Sequence, residues 1–512
     1  MATKKPVKQK TTARLPAASR KRRAAGLVRS SASSARPASR LPRPASRLAQ
    51  FDTIVKGGNV VTPGGTFRGD IGITGEKITA LGVNLEGDGS TKVIDAKGHH
   101  VIPGVLDVHV HLELPFMGAV SADDYRTGTR AGARGGVTTL IDFAIPYAGE
   151  SLSQAADNWM KKAKGKALID YTFHICITRW NEHKDQIKGM VDRGFTTFKE
   201  FMIYESEGWQ SDDRAMFGTL EKMKEYGTML LVHAESARVL DELIARHHTP
   251  ELMKTYGARL HRMTRPNFIE AEAIQRAVQW SEATGGQLYI VHMSTGEGAD
   301  IIRAAQARGV PVLAETCVQY LVLDDSVFDR EDGHLYACCP QLKKPKDVER
   351  LWKGLKSGEV SVVSTDTCTF DRAQKAMWNG DWTKIPMGMP GLETLMPLTY
   401  TAGVLAGRIT LEEMCTKLST NPAKIMGLYP KKGAIQVGAD ADIAIIHPKK
   451  MHKVDPETME TNADWSPYEG WEVAGFARTT LSRGDVIVDD YKVVGKEGRG
   501  QWLPRKTAGL AS

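Results

Sequence analysis

The stretch Val101–Leu114, VIPGVLDVHVHLEL, decides the fold of this chain. It begins as an apolar run and ends with Asp107, His109 and His111, which are spaced two residues apart. Because side chains alternate faces along a β-strand, these three are expected on one side of a buried strand end. Two neutral imidazoles placed together are typical ligands of a divalent metal such as zinc. A pair of ordinary core histidines is the alternative, and ligand-type residues further along the chain weigh against it.

Downstream of this stretch, apolar strand-like runs alternate with amphipathic helical stretches from residue 102 to 432. Several of the helical stretches end at glycine, as helix C-termini often do. Eight strand–helix units predict an α/β fold of the (β/α)8 TIM-barrel class, in which the chemistry lies at the carboxyl ends of the strands. The eight strand candidates are VIPGVLDVHVHL (101–112), VTTLIDFAIP (137–146), DYTFHICIT (170–178), TTFKEFMIY (196–204), TMLLVHAES (228–236), LYIVHMS (288–294), PVLAETCVQY (311–320) and VSVVSTDTC (360–368).

Both ends of the chain carry short strand-like segments. Residues 51–101 contain alternating runs broken by glycine and proline, and a matching block returns at 433–495. Such runs are typical of small strands. The two blocks together predict a small composite β-sandwich domain formed by both chain ends, with the catalytic barrel at 102–432 inserted between them. Residues 496–512 are expected to form a flexible C-terminal tail.

The net charge of +8 comes from one end of the chain. The first 51 residues contain 14 Lys and Arg and no acid, and the remaining 461 hold 54 basic and 60 acidic side chains, a net charge of −6. The folded body is therefore not expected to bind nucleic acid. Residues 1–50 offer little apolar surface to bury, which predicts a disordered basic tail. Their composition also suits an organellar transit peptide or an extension from an upstream start codon.

The cysteines and the hydropathy pattern bear on the compartment. Six cysteines are scattered along the chain without C-x-x-C spacing. This usage favours a reducing compartment, so we expect a cytoplasmic protein. No apolar stretch approaches the roughly 18–20 residues that cross a bilayer, and no membrane association is expected.

Ligand-type residues interrupt five of the predicted strands near their carboxyl ends. Singly, each also fits an ordinary role: a lysine whose stem covers apolar surface, a satisfied buried imidazole, a helix-capping aspartate. In a barrel these strand ends converge on one mouth, so together they predict a metal site there. The residues are His109 and His111 of the first strand, Lys199 and Tyr204 of the fourth, His233 of the fifth, His292 of the sixth and Asp366 of the eighth.

Five segments of the chain resemble the cyclic-amidohydrolase superfamily, specifically its dihydropyrimidinase and D-hydantoinase branch. The likeness extends from about residue 51 to 448 and includes the composite β domain. The segments are HVH (109–111), GFTTFKEFMIY (194–204), LLVHAES (230–236), YIVHMSTGEG (289–298) and STDTCTF (364–370).

The resemblance implies two zinc ions per subunit. An ordinary lysine is a cation with no lone pair to offer a metal. In the family this lysine is carboxylated by carbon dioxide, and the carbamate of the resulting N6-carboxylysine supplies two anionic oxygens. The implied ligands are His109, His111 and Asp366 for one ion, His233 and His292 for the other, and carboxylated Lys199 as the bridge.

The resemblance also implies a reaction, the opening of dihydropyrimidines or 5-substituted hydantoins to N-carbamoyl amino acids. A water that bridges two zinc ions has a pKa far below that of bulk water, so hydroxide is available to attack the ring carbonyl. Tyr204 is expected to donate a hydrogen bond to the developing oxyanion. Asp366 is expected to take the proton of the hydroxide and pass it to the departing ring nitrogen. Asp107 is expected to support the two histidines.

Two positions depart from the family pattern at the predicted ring-binding site. Cys339 stands where the family usually has a serine, and Met387 stands where an asparagine is common. Because the family makes these contacts largely through main-chain groups, both remain predicted substrate-binding residues, together with Tyr204. Leu114, Phe116 and Met117 are expected either to form an apolar wall against the ring substituent or to lie in the core or a lid.

Two further functions stay open as alternatives. An allantoinase or dihydroorotase matches the FKEFMIY segment less well than a hydantoinase does, and a substrate carboxylate calls for an arginine at the mouth that the sequence does not place there. A metal-free binding relative, like the collapsin response mediators, has lost the ligands, whereas all six ligand positions are retained here. The expected partner is a small cyclic amide, and the family commonly forms tetramers, which predicts a homotetramer.

Overall fold

A computed structural model of the protein describes residues 51–507. The predicted disordered tail at 1–50 lies outside the described residues, and so do residues 508–512 of the predicted C-terminal tail. Within the described range, every helix is too short or too polar to cross a lipid bilayer.

The strands of the described chain fall into a barrel sheet, a mixed sheet and two small two-stranded sheets. In chain order they are β1 Thr53–Thr62, β2 Gly65–Thr74, β3 Lys77–Gly82, β4 Lys92–Asp95, β5 His100–Pro103, β6 Val105–Val110, β7 Pro115–Phe116, β8 Ala119–Val120, β9 Val137–Ala144, β10 Asp170–Cys176, β11 Thr197–Phe201, β12 Met229–His233, β13 Gln287–Ile290, β14 Val312–Cys317, β15 Val362–Ser364, β16 Ile443–Ile446, β17 Met451–Lys453, β18 Glu472–Ala474, β19 Ala477–Ser482, β20 Asp485–Asp489 and β21 Lys492–Val493.

The helices lie mostly between the barrel strands. The α-helices are α1 Tyr125–Arg134, α2 Leu152–Ala163, α3 Trp180–His183, α4 Ile187–Asp192, α5 Asp213–Tyr226, α6 Ala237–His247, α7 Pro250–Tyr256, α8 Arg259–Met263, α9 Asn267–Thr284, α10 Gly296–Ala307, α11 Gln319–Val322, α12 Pro345–Ser357, α13 Arg372–Ala376, α14 Leu395–Thr399, α15 Leu411–Cys415 and α16 Asn421–Ile425. Short 3₁₀ segments lie at Lys184–Gln186, Asp325–Asp329, Gly333–Tyr336, Trp382–Lys384 and Pro456–Thr458, and π-helical segments at Tyr400–Leu405 and Thr416–Thr420.

Eight parallel strands form a nearly closed barrel, in the order β6, β9, β10, β11, β12, β13, β14 and β15. All eight residues of β9 are buried, as parallel strands covered on both faces require. At the seam between the first and last strands, the His111 N–H donates to the Thr367 carbonyl at 2.7 Å. Each barrel strand corresponds to one of the eight predicted candidates, so the (β/α)8 prediction is confirmed.

The two ends of the chain meet in one mixed sheet of nine strands, β1 to β5 with β16 and β19 to β21. The junction is the antiparallel pair β5 and β16, in which Pro103 lies opposite Ile443. The sheet carries its own apolar cluster, which includes Val60, Ile71 and Ile445. The composite β domain predicted from the two chain ends is confirmed.

The C-terminal segment is held against the barrel rather than free. The Tyr171 N–H of β10 donates to the Gln501 carbonyl at 3.0 Å, and the Leu503 N–H donates back to the Tyr171 carbonyl at 2.8 Å. The side chains of Leu503 and Arg505 are buried. Backbone hydrogen bonds to β10 and these buried side chains thus hold residues 501–505 of the predicted tail, a segment that has no regular hydrophobic pattern of its own.

A buried cluster of charges joins the barrel to the mixed sheet. The Lys432 side chain is fully buried, and its Nζ lies 2.7 Å from Asp170 Oδ2 at the start of β10. The same Nζ lies 3.0 Å from Asp440 Oδ2 and 2.7 Å from Asp442 Oδ2, just before β16. Although burial alone would lower it, these aspartates raise the pKa of Lys432 above its ordinary value. The cluster lies at the amino ends of the barrel strands, the end associated with stability.

Replacing this lysine tests its structural role. We expect Lys432→Met to lower the free energy of unfolding by about 3–5 kcal/mol, because it leaves buried carboxylates without their cation. Lys77→Met is the matched control, since Lys77 pairs with the same Asp440 at 2.6 Å but is 44% exposed. An exposed pair contributes about 0–1 kcal/mol. Urea denaturation of both variants measures the difference, and equal losses would contradict the assignment.

Candidate metal centre

The predicted ligand residues converge at the carboxyl end of the barrel. His109 Nε2 lies 3.1 Å from Asp366 Oδ1, and His111 Nε2 lies 3.2 Å from the same oxygen. The His292 ring is centred 5.2 Å from that of His109 and 4.4 Å from that of His233. Within residues 51–507, ligand atoms of His109, His292 and Asp366 all lie within 4.8 Å of one another, close enough to hold one metal ion.

Lys199 supplies the amine of this cluster. It lies in β11 and is 1% exposed, and its Nζ has no hydrogen-bond partner among the described residues. The Nζ lies 5.3 Å from the ring centre of Phe143 and 4.9 Å from that of Phe201. Burial in these surroundings lowers the pKa of Lys199 to about 8, although Asp366 opposes the shift. A buried amine without an acceptor is costly, so its position calls for a further group beside it.

Two of the imidazoles also have a buried nitrogen without a hydrogen-bond partner within residues 51–507. His111 Nδ1 and His292 Nδ1 are both buried, and neither has a hydrogen-bond partner in the described part of the chain. Imidazoles grouped with a carboxylate, here Asp366, are a donor set that suits zinc. The residues present therefore fit a metal centre.

Two carboxylates that the sequence analysis missed hold the histidine rings from behind. Glu315 of β14 accepts from His109 Nδ1 through Oε1 and from the Tyr289 hydroxyl through Oε2, the latter at 2.9 Å. Glu235 Oε2 accepts from His233 Nε2 at 2.8 Å. These bonds leave Nε2 of His109 and Nδ1 of His233 for other contacts. Metal-binding histidines commonly donate their other ring N–H to a carboxylate in this way. An acid inside an apolar strand run, as in PVLAETC, is the sequence signal that could have found Glu315.

These contacts set the charge of the cluster. Burial alone would lower the pKa of His109, but the carboxylates of Asp366 and Glu315 raise it to about 9. Burial alone would raise the pKa of Asp366, but His109 and His111 hold it well below its ordinary value. Desolvation and the neighbouring His233 lower the pKa of His292 well below its ordinary value. The site therefore combines one carboxylate that stays ionised with imidazoles of unequal basicity.

Asp107 supports the site through the main chain rather than through the rings. Its Oδ1 accepts from the His109 N–H at 3.2 Å and from the Thr365 N–H at 3.3 Å. Its Oδ2 accepts from the Thr365 hydroxyl at 2.6 Å. The expected support of the histidines takes this form, which also positions the backbone just before Asp366.

Three of the predicted site residues hold left-handed backbone conformations. The φ angles are 72° at Tyr204, 38° at His292 and 52° at Asp366. Such angles strain residues other than glycine, and this strain is concentrated at functional sites. Each of the three follows the end of a barrel strand, so the left-handed turn aims the side chain across the mouth.

Two adjoining cavities open at this mouth. An inner cavity of about 40 Å³ contacts all six predicted ligands. An outer cavity of about 540 Å³ lies beside it. Tyr204, Cys339 and Met387 line both, so the structure places all three predicted substrate-binding residues at the boundary between the cavities.

The walls of the cavities are partly aromatic. The rings of Phe116 and Trp209 are stacked with centres 5.4 Å apart, and Tyr204 meets Phe116 edge-on. Leu114 and Phe116 line the inner cavity, which favours the wall over a core or lid position. Arg265, which the sequence analysis did not place at the mouth, lines the outer cavity.

The chain is similar to known proteins in sequence and in fold. Residues 100–485 match the amidohydrolase family model. The D-hydantoinase of Geobacillus stearothermophilus is 40% identical over 465 residues, which cover 89% of this chain and 97% of that protein. The D-phenylhydantoinase of Escherichia coli is 38% identical over 458 residues, which cover 88% of this chain and 98% of that protein. The crystal structure of the dihydropyrimidinase from Brevibacillus agri NCHU1002 superposes with a TM-score of 0.86 at 38% identity, covering 89% of this chain and 99% of that one.

A parallel (β/α)8 barrel that gathers imidazoles, an amine and a carboxylate at the carboxyl ends of its strands defines the class of barrel hydrolases that use metal ions. The chain belongs to the amidohydrolase family, in the branch of the D-hydantoinases and dihydropyrimidinases.

The carboxylate behind His109 can be tested directly. We expect Glu315→Gln to weaken metal binding by about 10–100-fold, because an amide is a poorer acceptor for the ring N–H of His109. The metal content of variant and wild type after dialysis against graded chelator measures this loss. Tyr289→Phe is the control, since it removes only the hydrogen bond to Oε2 of the same carboxylate. Unchanged metal retention in Glu315→Gln would contradict the role.

Proposed function

We propose that this chain opens the ring of dihydropyrimidines or 5-substituted hydantoins to N-carbamoyl amino acids, using two zinc ions and a carboxylated Lys199. The coarser statement, that the chain is an enzyme that hydrolyses cyclic amides, rests on hydantoinase relatives that are 38–40% identical over most of its length. The observation that supports the finer proposal is the buried Lys199 amine, which is surrounded by imidazoles and a carboxylate and has no acceptor in the described chain.

The proposed ligand sets follow the positions of the side chains. His109 and His111 share one oxygen of Asp366, which supports a first ion held by these three residues. The closely spaced rings of His233 and His292 support a second ion. Lys199, as a carbamate formed with carbon dioxide, would join the two. When bound, the two ions supply Lewis-acid chemistry, since they polarise the ring carbonyl and acidify the attacking water.

Two residues of the chain transfer the proton and stabilise the oxyanion. Asp366 faces the inner cavity, and it takes the proton of the attacking water and delivers it to the departing ring nitrogen. Tyr204 lines the same cavity and donates a hydrogen bond to the oxyanion. The stacked Phe116 and Trp209 narrow the cavity and exclude water from the ring.

The ring itself is proposed to lie against Cys339 and Met387. Both side chains line the boundary between the inner and outer cavities, within reach of Tyr204. Burial raises the pKa of the Cys339 thiol to about 11, so the thiol stays protonated at neutral pH and serves as a small polar contact. The ring substituent then extends into the outer cavity.

The mouth contains one arginine that bears on the dihydroorotase alternative. Arg265 is 7% exposed and lines the outer cavity, where a carboxylate-bearing substrate would need a cation. Its Nε lies 3.7 Å from Glu235 Oε1, so this carboxylate already offsets its charge. The arrangement favours a neutral ring substituent over an anionic one.

The homotetramer and the cytoplasmic location belong to the same proposal. The first rests on the family resemblance and the second on the cysteine usage.

A substrate panel tests the proposed function. We expect turnover of dihydrouracil, hydantoin and phenylhydantoin, with allantoin and dihydroorotate turned over far more slowly. Zinc quantified on the same sample should give two ions per chain. Faster opening of dihydroorotate would favour the alternative in which Arg265 binds a substrate carboxylate. A zinc-free protein that opens none of these rings would identify a binding relative.

Two variants separate metal holding from proton transfer. Lys199→Ala should lose both zinc and turnover, because it removes the proposed bridge between the ions. Asp366→Asn should keep the fold and lower kcat by about 10²–10⁴-fold, the range for general acid–base catalysis. Zinc content, circular dichroism and kcat measure these effects. Two zinc ions and normal rates in Lys199→Ala would contradict the bridge, and substantial turnover in Asp366→Asn would exclude the proton shuttle.

A further inference from the structure

A fully buried lysine ties together the two loops that carry the predicted ring-binding residues. Lys375 lies in α13, which follows the loop after β15, and its side chain is 0% exposed. Its Nζ donates to the Ala337 carbonyl at 2.9 Å and to the Pro386 carbonyl at 2.7 Å. Ala337 is two residues from Cys339, and Pro386 is next to Met387. One ammonium-bearing side chain therefore contacts both segments.

The two segments also bond to each other at the same point. The Gly388 N–H donates to the Ala337 carbonyl at 2.9 Å, so this carbonyl accepts from both Lys375 and Gly388. A Cβ at position 388 would lie 2.3 Å from the Cys368 carbonyl oxygen, and φ there is +145°. Only glycine permits this approach. The segment 386–388 is thus packed closely against the barrel mouth.

The segment around Cys339 is held by further buried side chains. The Cys338 carbonyl is hydrogen-bonded to His261 Nε2 at 2.8 Å, and the Pro340 carbonyl accepts from the Tyr320 hydroxyl at 2.6 Å. With Lys375 on Ala337, the carbonyls at 337, 338 and 340 are each fixed by a side chain from a different element. These contacts bracket Cys339, which faces both cavities.

A lysine is a costly way to satisfy these carbonyls. Burial lowers the pKa of Lys375 to about 7, although the neighbouring thiol groups oppose the shift. A main-chain carbonyl satisfied by a neutral donor would avoid burying a charge. The long lysine side chain, however, lets a single Nζ bond to carbonyls of two loops that follow different barrel strands, and so fixes the distance between them.

We infer that Lys375 is a positioning residue, which sets the separation of the segments 337–340 and 386–388 so that their main chains hold the cyclic amide ring between them. This role rests on the proposed function, in which the ring lies against Cys339 and Met387. Loss of the clamp weakens binding of substrate and transition state alike, so it raises KM and leaves kcat largely unchanged.

The test compares two buried lysines in the metal-loaded enzyme. We expect Lys375→Met to raise KM for hydantoin about 10-fold or more, with kcat within about 2-fold and full zinc content, since small misplacements of positioning groups have large effects. Lys417→Met is the matched control, because Lys417 is also buried and its Nζ donates to the Val360 carbonyl at 2.7 Å, near the amino end of β15. It should lower stability without changing KM.

Hydrogen exchange provides a second measurement that does not need turnover. Lys375→Met should speed exchange at residues 337–340 and 386–388, and Lys417→Met should not. Lys375→Gln keeps two N–H donors on a shorter neutral side chain and should restore part of the wild-type KM, which keeps the test usable where the methionine variant fails to fold.

The outcomes separate the clamp from the proposed function. A wild-type KM in Lys375→Met, an equal rise in KM in Lys417→Met, or unchanged exchange at the two segments would each overturn the positioning role. Loss of zinc in Lys375→Met would show that the residue acts on the metal centre instead, which also overturns it. A wild-type chain that opens no cyclic amide would refute the proposed function, while the exchange data would still decide whether Lys375 holds the two loops together.

Discussion

Closure of the barrel between its first and last strands is the constraint on which the site depends. Asp107 fastens β6 to the residue before Asp366 by accepting from the amide and the hydroxyl of Thr365. The two histidines of β6 and the carboxylate after β15 come from distant parts of the sequence. They share contacts because this buried seam joins the strand ends that carry them, and a barrel left open at this point would separate them.

The sequence predicts the frame of this arrangement well, because parallel barrel strands are buried on both faces and read as apolar runs. Polar residues that end such runs, such as His233 and Asp366, are then conspicuous. The contacts behind them are harder to predict. Glu315 reaches His109 across the barrel interior from a strand far along the chain, and Arg265 reaches the outer cavity from the segment just before α9. Neither partner is near in sequence, so no local pattern indicates it.

Three buried lysines show how the partner of a charge indicates its role. Lys432 is surrounded by aspartates at the amino ends of the strands, where it joins two sheets. Lys375 contacts main-chain carbonyls beside the mouth, and Lys199 has no acceptor within the described residues. The first lysine forms ion pairs, the second forms hydrogen bonds that hold two loops together, and the third has an amine without an acceptor in the described chain. The last lies among the histidines of the candidate metal centre.

The pairing of β5 with β16 has a consequence for biosynthesis. Pro103 and Ile443 are about 340 residues apart, yet they lie opposite each other in the mixed sheet. At about 5–20 residues per second, a ribosome needs roughly 20–70 s to make the intervening chain. Throughout that time the amino-terminal strands present an unpaired edge, the kind of surface that associates with other chains. The nascent polypeptide therefore carries this association-prone edge until its carboxyl-terminal strands emerge.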